Sequence, residues 1–313
     1  MKKINKIILA VIAAILAVAI VCTGIVFWYY PRYRHLMVKN ISPEKSDFGV
    51  NIDIRELEKG EIRAMSCNVR CKTPSDLLKK SWYYRAPLIA NNIKNEKPTV
   101  IGFQEVTVSQ YAYLILTLPQ YDSVIRYRDD SMIKEGTPIF FRKDLYELKD
   151  KGSFWLSATP EKMSKDWGAA CYRICSYVIL TDRATGKDFV VFNTHLDHVS
   201  DKARINGINV VLDKIKQFGS MPAILMGDFN AEEDTKTYRS ATENFDDVKY
   251  LTNDTMKSCT FQNYGKELDS DCIDYIMVSK DDFIINSYKV VTTTYDGVYP
   301  SDHFQLVASM KLK

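Results

Sequence analysis

The sequence predicts an α/β domain of the α+β kind, two packed sheets with helices outside, on three observations. Short apolar runs bounded by turn residues recur along the chain. Helix-period stretches are fewer and lie between them. From Glu61 to the C-terminus no long linker, low-complexity stretch or clear repeat interrupts the pattern. The 313 residues are 46% hydrophobic and 26% charged, enough for a large core, which argues against a disordered chain.

The N-terminus is of a different kind. Residues 7–30 carry no charge, and as a helix they would span about 36 Å, enough to cross a bilayer. Trp28-Tyr29-Tyr30 forms an aromatic belt at the expected interface. The alternative is a cleaved signal peptide, with Ala17-Val18-Ala19 as the small-residue site. The apolar run continues past that site and favours an uncleaved anchor over residues 1–30. A charged juxtamembrane linker, 31–60, follows, and residues 61–313 form the globular domain. Lys2, Lys3 and Lys6 face Arg32, Arg34 and Lys39 across the stretch, so charge sets the orientation weakly. A short basic tail staying inside places the domain outside the cell membrane, on a single pass.

Strands are predicted in order. Met65, Cys67, Val69 and Cys71 alternate with Ser66, Asn68 and Arg70, so Asn68 is expected to face away from the apolar side. Thr99 to Phe103 ends in Gln104-Glu105. Ile139-Phe140-Phe141 is another strand. Tyr177 to Leu180 and Phe189 to Phe192 flank a hairpin loop, Arg183 to Lys187. Ala223 to Met226 stops at Gly227-Asp228-Phe229-Asn230, and an extended chain there points Asp228 and Asn230 the same way. Ile273 to Val278, Tyr288 to Thr293 and Leu306 to Leu312 complete the set. Helices are predicted from Ser81 to Ile93, from Val108 to Leu118, and after a Ser200 cap, carrying Ile205, Ile208, Leu212, Ile215 and Phe218.

Net charge is +3, but residues 1–40 hold six Lys or Arg and no acid, which leaves −3 on the remainder. The domain therefore lacks the overall basic footprint of a tight nonspecific duplex binder. The seven cysteines include two C-x-x-x-C pairs, Cys67/Cys71 and Cys171/Cys175. In a strand, i and i+4 lie about 13 Å apart, too far for a disulfide within a pair. Small core residues are the plain reading; an interstrand disulfide joining the pairs is the alternative for an exported domain.

Polar groups cluster at the strand ends. Of four histidines, His195, His198 and His303 lie in the globular part. Asp274 sits in the apolar strand Ile273 to Val278, where an ionised acid is costly unless paired, and a histidine is the obvious relief. Each residue alone has an ordinary structural reading, Glu105 for instance as a cap for the helix after Thr107.

Taken in order, Asn68, Gln104-Glu105, Thr194-His195-Leu196, Gly227-Asp228-Phe229-Asn230, Ile273-Asp274-Tyr275 and Ser301-Asp302-His303 resemble the endonuclease/exonuclease/phosphatase superfamily, from about residue 61 onward. Thr137 to Lys143, Phe154 to Ser157 and Tyr295 to His303 look like a bacterial subgroup of it. The resemblance implies a four-layer sandwich, two mixed sheets flanked by helices, with the site at one edge. It implies Mg²⁺, or Mn²⁺ in its place, held by Glu105 with Asn68 and Asp302 nearby. It further implies His303 as general base oriented by Asp274, His195 and Asn230 as donors to phosphate oxygens, and Asp228 at the attacking water. Arg173 is a candidate phosphate contact or a structural ion pair, and Arg70 is similar. His198 reads as a solvent-facing spectator.

The expected activity is hydrolysis of a phosphoester by a membrane-anchored, metal-dependent enzyme, a phosphodiesterase or nuclease first, with no protein partner implied. A phospholipid or small-phosphoester hydrolase, like sphingomyelinases or inositol phosphatases, is the second reading. A non-enzymatic surface module is the third.

Overall fold

A computed structural model describes residues 8, 10–25, 52–53, 56–252 and 259–313. The chain divides into two units, Met1–Asp47 and Phe48–Lys313. In the first, residues 10–25 form helix α1. Among the described residues no helix is long and apolar enough to cross a membrane. The remainder of the uncharged stretch 7–30 and most of segment 31–60 lie outside the described residues.

The second unit is built on two six-stranded sheets. The first runs in the order β13 (Phe283–Val291), β14 (Gln305–Leu312), β1 (Glu61–Asn68), β2 (Val100–Gln104), β6 (Ile139–Arg142), β4 (Tyr121–Val124). The second runs β11 (Phe245–Asp247), β12 (Asp274–Ser279), β10 (Ala223–Asp228), β9 (Asp188–His195), β8 (Ile174–Asp182), β7 (Tyr146–Trp155). A two-stranded ribbon pairs β3 (Val106–Thr107) with β5 (Glu135–Gly136). Both main sheets are mixed, because β1 with β2 and β9 with β10 run parallel while the other pairs are antiparallel. The α/β class and the two packed sheets are as the sequence predicts.

Helices α2 (Trp82–Glu96), α3 (Val108–Thr117), α4 (Asp201–Lys216) and α5 (Lys236–Thr242) connect the strands. Ser200 caps α4 through its hydroxyl, which accepts from Ala203 N; Asp201 at the start and Lys214 and Lys216 at the end suit the helix dipole. Glu105 does not cap α3. Gln110 does so from within, accepting from Thr107 N (3.1 Å) and the Thr107 hydroxyl (2.6 Å).

Side-chain alternation sorts the core into layers. Ile224, Met226, Ile276, Val278, Val191, Ile62, Ala64 and Val100 fill the space between the sheets. Leu225, Met277, Tyr275 and Phe192 point the other way, under Ile208, Val211 and Leu212 of α4 and Tyr238 and Ala241 of α5. The period of two then decides where the strand ends point. Asp228 follows Ile224 and Met226, Asp274 precedes Ile276, His195 follows Val191, and Asn68 follows Ile62 and Ala64. All four therefore face the space between the sheets. This corrects the sequence expectation for Asn68. Both faces of β1 are buried, Met65 and Cys67 included, so Asn68 faces the inter-sheet core.

The strand β7 escaped the sequence pattern. It is an edge strand whose middle, Lys149-Asp150-Lys151, is charged, with a register shift between Leu148 and Asp150. The seven cysteines are all free thiols. Each C-x-x-x-C pair straddles a strand end, so Cys67 and Cys175 are core residues while Cys71 and Cys171 are half-buried in loops.

Candidate active site

Register places the polar strand ends side by side. Asn68 pairs with Gln104 across β1 and β2, Asp228 with His195 across β10 and β9, and Asp228 with Asp274 across β10 and β12. Because β1 and β2 are parallel, as are β9 and β10, their C-terminal ends share one edge. The antiparallel β12 starts at that edge, which is why Asp274 is its first residue. Beneath, Asn193 ties the sheets together: its amide donates to Phe103 O (2.8 Å) and Pro138 O (3.0 Å), and it accepts from Gln104 (2.7 Å). Gly102 leaves room for that side chain, since a Cβ there would come within 2.8 Å of it.

The backbone at the edge is unusual. Gly227 has φ +147°, and a Cβ on it would lie 2.0 Å from Thr194 O. Only glycine permits that approach of β10 to β9. Arg70, Glu105 and Asn230, each just past a strand end, have φ of +55°, +63° and +47°. Such conformations cost about 1–3 kcal/mol each and persist where surroundings enforce them. For Asn230 this overturns the extended reading. The chain turns at Asn230, whose N donates to Asp228 Oδ1 (2.9 Å) and whose amide donates to Leu196 O (3.1 Å).

The predicted residues meet in one place. Glu105, His195, Asp228, Asn230, Asp302 and His303 line a cavity of about 420 Å³ together with Arg173. Asn68 lies beneath it, its amide donating to Asp228 Oδ2 (2.9 Å) and Glu105 Oε1 (3.3 Å). Asp274 stands behind His303, with Oδ2 2.8 Å from Nδ1. His303 Nε2 is 3.7 Å, and His195 Nε2 3.5 Å, from Asp228 Oδ2. Glu105 Oε2 accepts from Cys71 N at 2.8 Å. Asp302 Oδ2 is 3.7 Å from Arg70 Nη1, and Arg70 Nε also bonds Asp76 (3.2 Å). Arg70 is thus engaged with acids.

Burial and charge set the protonation. Burial favours a neutral His303, but the Asp274 and Asp228 carboxylates outweigh it and hold the imidazole well above the ordinary histidine value. His195 is pushed well below that value by burial, then by Arg173 and Arg128, so it is neutral at pH 7. Asp228 is pushed up to about 7 by burial and by Asp274. Asp302 is raised by burial. For Glu105 burial is outweighed by the Cys71 N–H, His303 and Arg70, and its carboxyl stays below the usual range.

Other residues of the site escaped the sequence. Arg128 and Glu135 line the cavity from the segment before β5 and from β5 itself, where no motif marks them. His198 is exposed, as expected, and in addition its Nδ1 lies 2.9 Å from Arg173 Nη2. Arg85 of α2, fully buried, donates to Lys80 O (2.7 Å), Val69 O (2.6 Å), Arg70 O (3.2 Å) and Pro300 O (3.1 Å). It joins the loop after Asn68 to the approach to Asp302. Thr260 accepts from Ile273 N and Asp274 N, fixing the start of β12.

A larger cavity of about 640 Å³ is lined by Glu232, Glu233, Asp234, Asp269 and Asp271. None of the predicted site residues lines it, and its acids would repel a phosphate.

The chain resembles known proteins over most of its length. Nocturnin of Drosophila melanogaster is 25% identical over 296 residues, covering 78% of this chain and 44% of its own. Human Nocturnin is 24% identical, with 82% and 63% covered. The chain thus spans about half of these relatives' length. Among solved structures, an endonuclease/exonuclease/phosphatase of Bacteroides vulgatus is 31% identical with a TM-score of 0.75, covering 81% of this chain and 99% of that one. A mannosyl-6-phosphatase of Bacteroides thetaiotaomicron is 32% identical with a TM-score of 0.73, covering 80% and 99%. The model of the endonuclease/exonuclease/phosphatase family matches residues 65–303, the span that carries every strand end of the site, and the chain belongs to that family.

Proposed function

We propose that the protein is a divalent-metal-dependent phosphoesterase acting on a small phosphoester. The observation that supports this most is the convergence of six strand ends and loops on one cavity of about 420 Å³ with a buried His303–Asp274 pair at its wall. A cavity of that size suits a small molecule. The −3 balance of the domain weighs against polymeric nucleic acid. The similar Bacteroides mannosyl-6-phosphatase is in keeping with a sugar phosphate. A nuclease or other phosphodiesterase is the second reading; the breadth of the family carries it.

Two sets of side chains compete for a cation. Ligand atoms of Asp228, Asp274 and His303 lie within 4.8 Å of one another. His303 Nδ1 and Asp274 already bond each other, so that set reads better as a proton-holding pair beside an acid. Glu105 and Asp302 offer carboxylate oxygens, Glu105 keeps Oε1 free of backbone donors, and Asn68 borders them with its Oδ1 accepting from Arg70 N (2.9 Å). That set fits Mg²⁺. Bound there, the ion would neutralise phosphate charge and help polarise the ester.

The side chains then divide the remaining work. Neutral His195 and the amide of Asn230 donate to phosphate oxygens. Asp228 aligns the attacking water. His303, oriented by Asp274, takes or returns the proton. The test is a panel of a sugar phosphate, DNA, RNA, phospholipid vesicles and inositol phosphates, each with Mg²⁺ and with chelator. Turnover confined to small phosphoesters, lost with chelator and in Asp228→Ala, is expected. Turnover unaffected by both would sink the mechanism.

The uncharged stretch 7–30 supports, in addition, a single-pass anchor with the catalytic unit outside the cell membrane. Recovery of the full chain in the soluble fraction after lysis would overturn the anchor.

A further inference from the structure

We propose that Arg173 and Arg128 form an anion subsite beside His195 that reads the extra charge of a terminal phosphate, which makes phosphomonoesters the substrate class. This rests on the phosphoesterase reading above and narrows it.

Arg173 is 5% exposed, and its Nε and Nη1 have no hydrogen-bond partner among the described residues. The acid nearest to hand does not fill that need. Asp197 Oδ2 is 3.9 Å from Nε. Its oxygens are already taken by four backbone N–H groups, Ala170 (2.9 Å), Cys171 (3.3 Å), Val199 (3.0 Å) and Ser200 (2.9 Å). Nη2 donates to His198 Nδ1, which fixes the plane of the guanidinium. A buried cation with two idle donor atoms is costly, and such groups persist where a ligand completes them.

Arg128 stands beside it. One nitrogen bonds Glu135 (2.8 Å), and its Nε, which has no hydrogen-bond partner among the described residues, lies 3.6 Å from Asp129 Oδ2. Both guanidinium groups line the active-site cavity with Glu105, Glu135 and His195. Each raises the cost of the other's charge, and after burial Arg128 is the largest influence lowering Arg173. Glu135 and Asp228 offset part of that repulsion, and an anion on the free donors of Arg173 offsets more.

The location selects the substrate class. The arginines share one cavity with Glu105 and His195, the residues assigned above to the metal and to the phosphate. A diester has two non-bridging oxygens and one charge, which His195 and Asn230 can serve. A monoester has a third terminal oxygen and a charge near −2 at neutral pH. Arg173, with two free donor atoms, matches that third oxygen.

The full chain with Mg²⁺ is assayed on p-nitrophenyl phosphate and bis(p-nitrophenyl) phosphate, as wild type, Arg173→Met, Arg173→Lys and Arg128→Gln. Wild type should prefer the monoester. Arg173→Met should lower monoester kcat/KM by about 10- to 100-fold, the worth of a charged hydrogen bond, and lower diester kcat/KM by a clearly smaller factor. Arg128→Gln should act in the same direction, more weakly, and Arg173→Lys should recover part of the loss. Without metal, inorganic phosphate should raise the melting temperature of wild type and not of Arg173→Met. A diester preference, equal losses on both substrates, or equal phosphate stabilisation of Arg173→Met overturns the assignment. Turnover of neither substrate overturns the phosphoesterase reading and the monoester class with it.

Discussion

His303 Nδ1 lies 2.8 Å from Asp274 Oδ2, with both side chains buried, so the imidazole has a fixed orientation and a partner for its positive form. If the pair works as one unit, His303→Ala and Asp274→Asn should each lower kcat by about 10²- to 10⁴-fold. The double variant should lose little more than the worse single one. Independent, multiplying losses measured by steady-state kinetics would separate the two residues.

Glu105 Oε2 is held by Cys71 N, which leaves Oε1 directed toward the Asn68 amide. Glu105→Gln keeps an acceptor for Cys71 and removes the charge. Calorimetric titration should show Mg²⁺ affinity falling by at least about tenfold, with metal-free unfolding changed by less than about 1 kcal/mol. An unchanged titration would move the cation elsewhere.

Gly227 lets β10 approach β9 closely enough that no Cβ fits beside Thr194 O. Gly227→Ala should destabilise the protein by about 3 kcal/mol or more, through the clash and the positive φ together. Urea unfolding checks this, and a loss under about 1 kcal/mol would show that the strands can separate cheaply.

Asp247 lies in the core, accepting from Lys249 N (3.0 Å) and the Tyr238 hydroxyl (3.0 Å), and burial pushes it up to about 6. The unfolded value is about 3.9. The folded state therefore holds this proton more tightly than the unfolded one, and the stability it contributes is present below about pH 4 and lost as pH rises through 6. Asp247→Asn keeps the acceptor and escapes that loss. Its stability relative to wild type should rise between pH 4 and 7, by at most about 3 kcal/mol for two pKa units. A pH-independent difference in melting experiments would mean that Asp247 is not raised.

Much of the site was legible in the sequence because each reactive residue ends or begins an apolar strand, and such strands announce themselves. Glu105 after Val100–Gln104, His195 at the end of β9 and Asp274 at the start of β12 are all of this type. Arg128, Glu135 and His198 were not legible, since they come from loops and a two-residue strand with no periodic signal. Arg85 looked like any polar residue on a helix; its four carbonyl partners come from three separate segments.

The sequence by itself determined the two-sheet class, the order of the strands' polar ends and the chemical types gathered there, because alternation and strand termination are local properties of the chain. Only the tertiary structure decided that both faces of β1 are buried, so that Asn68 faces the space between the sheets, and that the chain turns at Asn230. Only it placed Arg173 beside Arg128 with donors to spare. Those outcomes depend on which strands pair, which loops pack over the edge and where a guanidinium finds its neighbours, and long-range contacts of that kind leave no mark on local pattern.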